Sequence, residues 1–265
     1  MFERFRFTKE PFSKEIPVDQ RLKLGVIEDE IQALKSTVES RLIGGLVAPA
    51  GTGKSVVLRT LQALLPEARY RTSYLMVNNV SGRALYREVA RVTGAETAAT
   101  FPSLVHKIQL RFKQTVDLDG LRPVLLFDEA HDMRPEVVSM IRLLTNFSMD
   151  SKLVVSVVLA GQLSLRETLM RPGLEDIRQR LSHFGELRLL SRDESKAYID
   201  HRVKIAGAPK VPFDEGAIEA LYEMSRGNMR AIDQLARKSL IKADGERLDV
   251  ANTNHVMAAR AELCL

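Results

Sequence analysis

Ala48-Pro49-Ala50-Gly51-Thr52-Gly53-Lys54-Ser55, with Val56 after it, is the stretch that decides the fold. An apolar run at residues 42–47 precedes it. Residues 54–65 follow, with apolar positions at helical spacing up to Pro66. Strand, glycine-rich turn and helix in that order fit the phosphate-loop pattern G-x-x-x-x-G-K-[ST], with Ala48 in place of the first glycine. Gly51 and Gly53 let the backbone wrap so that successive N–H groups point at one anion. The start of the helix aims its dipole at the same place. Lys54 is the candidate for the β- and γ-phosphates and Ser55 for a Mg2+ ligand. Pro49, Ala50, Gly51, Thr52, Gly53, Lys54, Ser55 and Val56 are therefore the predicted nucleotide-binding residues. A glycine-rich turn with a solvated lysine is the other reading, and the flanking strand and helix speak against it.

The second half of such a site is Val124-Leu125-Leu126-Phe127-Asp128-Glu129-Ala130-His131. Four apolar residues followed by two acids predict a buried strand whose C-terminal end presents carboxylates, where open α/β sheets hold their ligands. Asp128 is the candidate for the Mg2+ shell, and Glu129 for orienting and polarising an attacking water. Without the upstream loop, the same pair would also read as acids at a helix N-terminus. Together the two motifs imply Mg2+-dependent hydrolysis of a nucleoside triphosphate, ATP above all. The string Asp-Glu-Ala-His also occurs in one class of helicases. These need a second motor lobe, and only 134 residues follow His131, so His131 is expected to lie behind the site or at the surface.

The rest of the composition narrows the class. The chain has 265 residues, 45% hydrophobic and 28% charged, an ordinary globular balance. Lys and Arg number 39 against 34 Asp and Glu, a surplus of five that permits a polyanionic partner without requiring one. The lone cysteine, Cys264, excludes an internal disulfide and a cysteine zinc site. No apolar stretch approaches the roughly 20 residues of a membrane helix. The charged start lacks a signal-peptide core. A cytoplasmic protein with no membrane contact is expected.

Alternating strand-like and helix-like segments run to about residue 190. Strands are predicted at 42–47, 70–77, 124–127, 154–160 and 184–189, and helices at 26–40, 54–65, 82–92, 102–114, 135–147 and 174–181. This pattern predicts a three-layer αβα fold around a parallel sheet. Afterwards the strand signal stops. Ser191-Arg192-Asp193-Glu194 is a capping box that opens a helix to about residue 206, and helices at 214–225, 230–243 and 253–263 follow. The expected domains are an N-terminal arm and helix (1–40), an α/β nucleotide-binding body (41–190) and an all-helical lid (191–265). The aromatic, proline-punctuated residues 1–25 are expected to pack on the body.

With this order of features the chain resembles the AAA+ ATPases over nearly its full length. These are phosphate-loop NTPases of the ASCE type with a helical lid. The resemblance implies roles for three further residues. Gln162, after the strand ending Ala160-Gly161, falls at the sensor-1 position, although Asn, Thr or Asp is commoner there. Arg180 matches the arginine finger given to a neighbouring subunit, with Arg178 as runner-up. Arg230, in Gly227-Asn228-Met229-Arg230, matches sensor 2 at the start of a lid helix. A turn glutamine and solvated helix arginines are the plainer readings of these residues.

Two subgroups look nearest. Phe5-Arg6-Phe7-Thr8-Lys9-Glu10-Pro11-Phe12-Ser13, with Gly161-Gln162 and Asp-Glu-Ala-His, is similar to the ExeA-type ATPases. The compact layout is similar to the transposition regulators TnsC, TniB, IstB and MuB. The latter implies a homo-oligomer, ring or helical filament, that assembles with ATP on double-stranded DNA and recruits a transposase. The mild basic charge, the missing membrane span and the end of the chain at the lid fit this expectation. A cytoplasmic ATPase of secretion or envelope assembly and a replication-type helicase or clamp loader stay open. In TnsC-like proteins DNA contacts come from the segments that correspond to Asn78-Asn79-Val80-Ser81-Gly82-Arg83 and Thr100-Phe101-Pro102-Ser103. Arg83 and Thr100 are the main candidates, with Ser81 and Lys107 behind them. Such residues bind phosphate oxygens without reading bases, and the same positions also read as solvated helix starts.

Overall fold

The computed structural model describes residues 3–77, 81–149 and 151–263. Asn78, Asn79 and Val80 of the predicted DNA segment, and Cys264, lie outside the described residues. The chain divides into two compact units, residues 25–187 and residues 1–24 with 188–265.

The first unit is built on β1 (Ile43–Val47), β2 (Tyr70–Met76), β3 (Arg122–Asp128), β4 (Ser156–Gly161) and β5 (Leu181–Glu186), in the order β2-β3-β4-β1-β5. Every pairing is parallel. All residues of β1 and β4, and all but the first of β3, are buried. Strands covered on both faces have no polar side to alternate with, and this explains their continuous apolar runs. The two edge strands are more open: Arg71, Tyr74 and Met76 on β2 are exposed, as are Ser182 and Glu186 on β5.

Among the described residues seven α-helices complete the unit: α1 (Gly25–Glu39), α2 (Lys54–Leu64), α3 (Gly82–Thr93), α4 (Phe101–Asp117), α5 (Pro135–Thr145), α6 (Ser164–Leu169) and α7 (Glu175–Arg180). Leu125, Phe127, Val157 and Leu159 join Val89 of α3, Ile108 and Phe112 of α4 and Ile141 of α5 in one core cluster. The alternate positions, Val124, Leu126 and Val158, are also fully buried. On the face they share, α1 and α2 bury Ile31, Leu34, Val38, Val57, Leu58 and Leu61. This is the expected three-layer αβα sheet. β4 stands between the phosphate-loop strand β1 and the acid-bearing strand β3, the arrangement the ASCE type implies.

Three local expectations are corrected. The last strand occupies 181–186 instead of 184–189, because Leu181 pairs with Ile43 at the start of β1. The short helix α6 was not predicted. And α1 belongs to the compact body, whereas the expected arm and helix grouped it with the N-terminus.

The second unit contains α8 (Arg192–Ile205), α9 (Glu215–Ser225), α10 (Met229–Gly245) and α11 (Thr253–Ala261). Ser191 and Glu194 form the predicted capping box at α8. The arm belongs here and not, as expected, with the α/β body. The amides of Thr8 and Lys9 donate to the Ala206 carbonyl at 2.9 and 3.1 Å, and Phe12 meets Phe213 edge-on. Arg202 of α8, only 2% exposed, is the anchor. Its guanidinium donates to the Ser13 carbonyl at 2.6 Å and to Asp233 of α10 at 2.8 Å, and it lies over the Phe12 ring.

Removing one partner of a buried ion pair leaves the other charge uncompensated, at a cost of about 3–5 kcal/mol. Arg202→Ala is therefore expected to destabilise the helical unit by that order and to loosen the arm. Denaturant unfolding together with proteolysis of residues 1–24 checks this; an unchanged midpoint and an equally resistant arm would contradict it.

Candidate active site

Because the strands are parallel, their C-terminal ends meet at one edge. Val47 lies beside Gly161 and Phe127 beside Leu159, so the phosphate loop, Asp128-Glu129 and Gln162 emerge within a residue or two of one another. The loop is drawn in by a bond from the Ala48 amide to the Gly161 carbonyl (3.1 Å) and closed by Thr52 Oγ1 donating to the Pro49 carbonyl (2.7 Å). Gly51 and Gly53 adopt φ of 84° and 100°, the left-handed region that glycine enters without steric cost. Ala48 keeps a negative φ, so its Cβ is tolerated where the motif has glycine. Val56 and Val57 already donate to the Gly53 carbonyl. The amides of Lys54 and Ser55 stand too early in α2 for an intrahelical partner and are available to an anion.

Asp128, at the end of β3 and 2% exposed, is held by three donors. Ser55 Oγ and the Tyr74 hydroxyl donate to Oδ2 at 3.2 and 3.1 Å, and the Glu129 amide donates to Oδ1 at 2.9 Å. Glu129 has a φ of 54°, an uncommon conformation for a non-glycine residue, and it begins the turn Ala130–Asp132. Its Oε1 accepts from Lys54 Nζ at 3.2 Å, and its Oε2 lies 3.2 Å from His131 Nδ1. Lys54 is itself 7% exposed.

The structure thus brings Lys54, Ser55, Asp128 and Glu129 together. It places His131 behind Glu129, where it was expected to lie if not at the surface. A Cβ on Gly161 would come within 2.9 Å of the His131 amide nitrogen. The bare glycine lets the acid-bearing turn sit against the end of β4. Sequence reasoning missed Tyr74. Burial first, then the charge of Asp128, push its hydroxyl up to about 12, so it is a protonated donor at neutral pH. Its only signal in the sequence was a place on the strand next to the acid pair.

The donor set fits Mg2+. A carboxylate and a hydroxyl oxygen, 3.2 Å apart, are hard ligands. Mg2+ typically keeps several waters, is bound through one or two carboxylates and takes its remaining ligands from phosphate. Ser55 and Asp128 would hold it.

Gln162 follows β4 at the same edge, and its side chain is half-buried. Arg180 ends α7 just before Leu181, which pairs with Ile43. That is the opposite end of β1 from the phosphate loop, about 13 Å along the strand at 3.3 Å per residue, so Arg180 does not reach its own chain's loop. Arg178 is tied to α6 through the Leu169 carbonyl (3.3 Å). In the helical unit, Arg230 is exposed in the first turn of α10, which Asn228 caps. The four DNA candidates have local partners. Ser81 and Thr100 cap α3 and α4 by accepting from Ala84 and Ser103 amides. Arg83 donates to the Ala99 carbonyl. Lys107 pairs with Glu96 at 2.5 Å.

An αβα parallel sheet with a phosphate loop facing an acid pair defines a phosphate-loop nucleotide-binding protein. A family model described as AAA domain matches residues 26–169, and the chain belongs to that family. General secretion pathway protein A of Aeromonas hydrophila is 30% identical over 200 residues, which cover 75% of this chain. The chain spans 36% of that relative's length. Among solved structures, Cdc6p from Pyrobaculum aerophilum superposes with a TM-score of 0.76 at 18% identity, over 95% of this chain and 70% of its own. The Aeropyrum pernix ORC1 protein in complex with DNA gives 0.69 at 18%, over 97% and 69%. The RuvB branch-migration motor of Thermotoga maritima gives 0.58 at 18%, over 89% and 67%. At these identities the structures support the fold alone.

Lys54→Ala is expected to leave the sheet intact and to reduce ATP affinity at least about 100-fold, the loss of a buried charge-assisted contact. Calorimetric titration with ATP and Mg2+ checks it, with circular dichroism as the control for folding.

Proposed function

We propose that the protein is a Mg2+-dependent ATPase that binds double-stranded DNA largely without regard to sequence, oligomerises on it and recruits a transposase. The Lys54–Glu129 pair beside the triply bonded Asp128 is the observation that carries the hydrolytic part. Phosphate oxygens entering the loop would compete for Lys54. As Lys54 turns to them, Glu129 Oε1 loses its partner and can accept a proton from a water. Asp128 keeps Glu129 in place through the hydrogen bond that its Oδ1 accepts from the Glu129 backbone N–H. Bound Mg2+ would neutralise charge building up on the phosphates. Gln162, at the same edge, is proposed to orient the water. Arg180 is proposed to complete a neighbour's site, a role its place before β5, away from its own loop, is compatible with. Arg230 is assigned to the nucleotide by resemblance.

The DNA part is supported by the paired helix starts. Ser81 and Thr100 cap α3 and α4, and the Arg83–Ala99 bond ties the two starts to each other. Helix N-termini with polar caps and an exposed arginine suit phosphate oxygens. Lys107 contributes less, because Glu96 already neutralises it. A second reading has its own support: the match to General secretion pathway protein A favours an ATPase that works on a secretion apparatus.

Three measurements bear on these readings. With duplex DNA and a slowly hydrolysed ATP analogue, electron microscopy should show nucleotide-dependent rings or filaments; bare DNA would sink the first reading and leave the second. Glu129→Gln should bind ATP, lower turnover by about 100-fold or more and trap the protein on DNA. Arg83→Glu should weaken duplex binding several-fold while ATP binding is kept; unchanged duplex affinity would remove Arg83 from the interface.

A further inference from the structure

We propose that Tyr74 is a positioning residue of the metal–nucleotide site, acting through Asp128. The proposal rests on the nucleotide-hydrolysing reading above. β2 and β3 run in register with Met76 opposite Asp128. Tyr74, two residues before Met76, shares its face of the sheet, because side chains on a strand alternate. It is therefore the diagonal neighbour of Asp128, at a separation that only a long side chain spans. The phenol covers that distance and its hydroxyl donates to Asp128 Oδ2 at 3.1 Å.

Packing does not account for this side chain. Tyr74 is 41% exposed on an edge strand, and Met76 beside it is 58% exposed. The specific contact it makes is polar and falls on the carboxylate oxygen that also accepts from Ser55. This double use gives the hydroxyl its role. With Ser55 alone on Oδ2, any shift of the Ser55 oxygen toward a cation would leave that oxygen without a donor. Tyr74 holds Oδ2 from the far side, on a different strand, so the carboxylate keeps its direction while Ser55 moves. The other oxygen, Oδ1, carries the Glu129 amide, and the same restraint therefore reaches Glu129. Groups that orient a metal ligand from outside in this way typically matter for metal affinity.

Tyr74→Phe tests this, since it removes the hydroxyl and keeps the ring. Binding of a fluorescent ADP analogue is measured in excess EDTA and again across a Mg2+ titration, and Mn2+ binding to the ADP-loaded protein is followed by electron paramagnetic resonance. The expected result is a Mg2+-free affinity within about twofold of wild type and a half-saturating Mg2+ or Mn2+ concentration raised about ten- to a hundredfold, as for the loss of a group that orients a metal ligand. A metal dependence identical to wild type would overturn the proposal. An equal loss of affinity with and without metal would also overturn it, by showing a purely structural role. Failure of the wild-type protein to bind the analogue at all would overturn the nucleotide reading itself, and this proposal with it.

Discussion

Asp128 is buried at the end of β3, and its two oxygens accept three hydrogen bonds, from Ser55 on α2, Tyr74 on β2 and the amide of Glu129. A carboxylate in such a place has lost its water and tolerates this only with its lone pairs satisfied. The requirement ties together three parts of the chain that are far apart in sequence. It brings the first turn of α2 up to the end of β3, across the intervening strand β4. It also pins the backbone of Glu129 in a left-handed conformation, so the acid that follows projects toward Lys54 instead of continuing the strand. The candidate chemistry follows from that one carboxylate being held by three hydrogen bonds.

Around it, close approach is managed by small residues. Gly161 ends β4 and leaves no room for a Cβ against the His131 amide, so the turn after Glu129 lies directly on β4. Ala48 is fully buried and donates to the Gly161 carbonyl. The loop and the turn after the acid pair thereby both lie against the backbone at the end of β4. The helical unit depends on a different buried charge. Arg202 satisfies Asp233 and Ser13 at once, and the arm becomes part of that unit.

Much of this was legible in the sequence, because it is written in local patterns. The phosphate loop lies within eight consecutive residues, and its glycines, lysine and serine have roles set by backbone conformation and helix polarity. The apolar runs of β1, β3 and β4 show as such because both faces of those strands are covered. Edge elements were harder. β5 has a mixed pattern, and the apolar residues Leu187 and Leu189 just beyond it extend the predicted strand three residues past its end. The arm's phenylalanines announced burial but not against what; the bonds to Ala206 and Ser13 join residues nearly 200 positions apart. Tyr74 looked like any strand aromatic, since nothing in β2 alone says that its hydroxyl meets an acid 54 residues later.

The sequence by itself determined the class of fold, the order of its strands and helices, and the identity of the loop and acid residues, because each rests on periodicity or on a motif a few residues long. The tertiary structure alone decided the sheet order that sets β4 between loop and acids, the partners of Asp128 and Glu129, the distance of Arg180 from its own loop and the home of the arm. Those depend on which distant segments satisfy one another's buried polar groups, and that is settled only when the sheet closes its register.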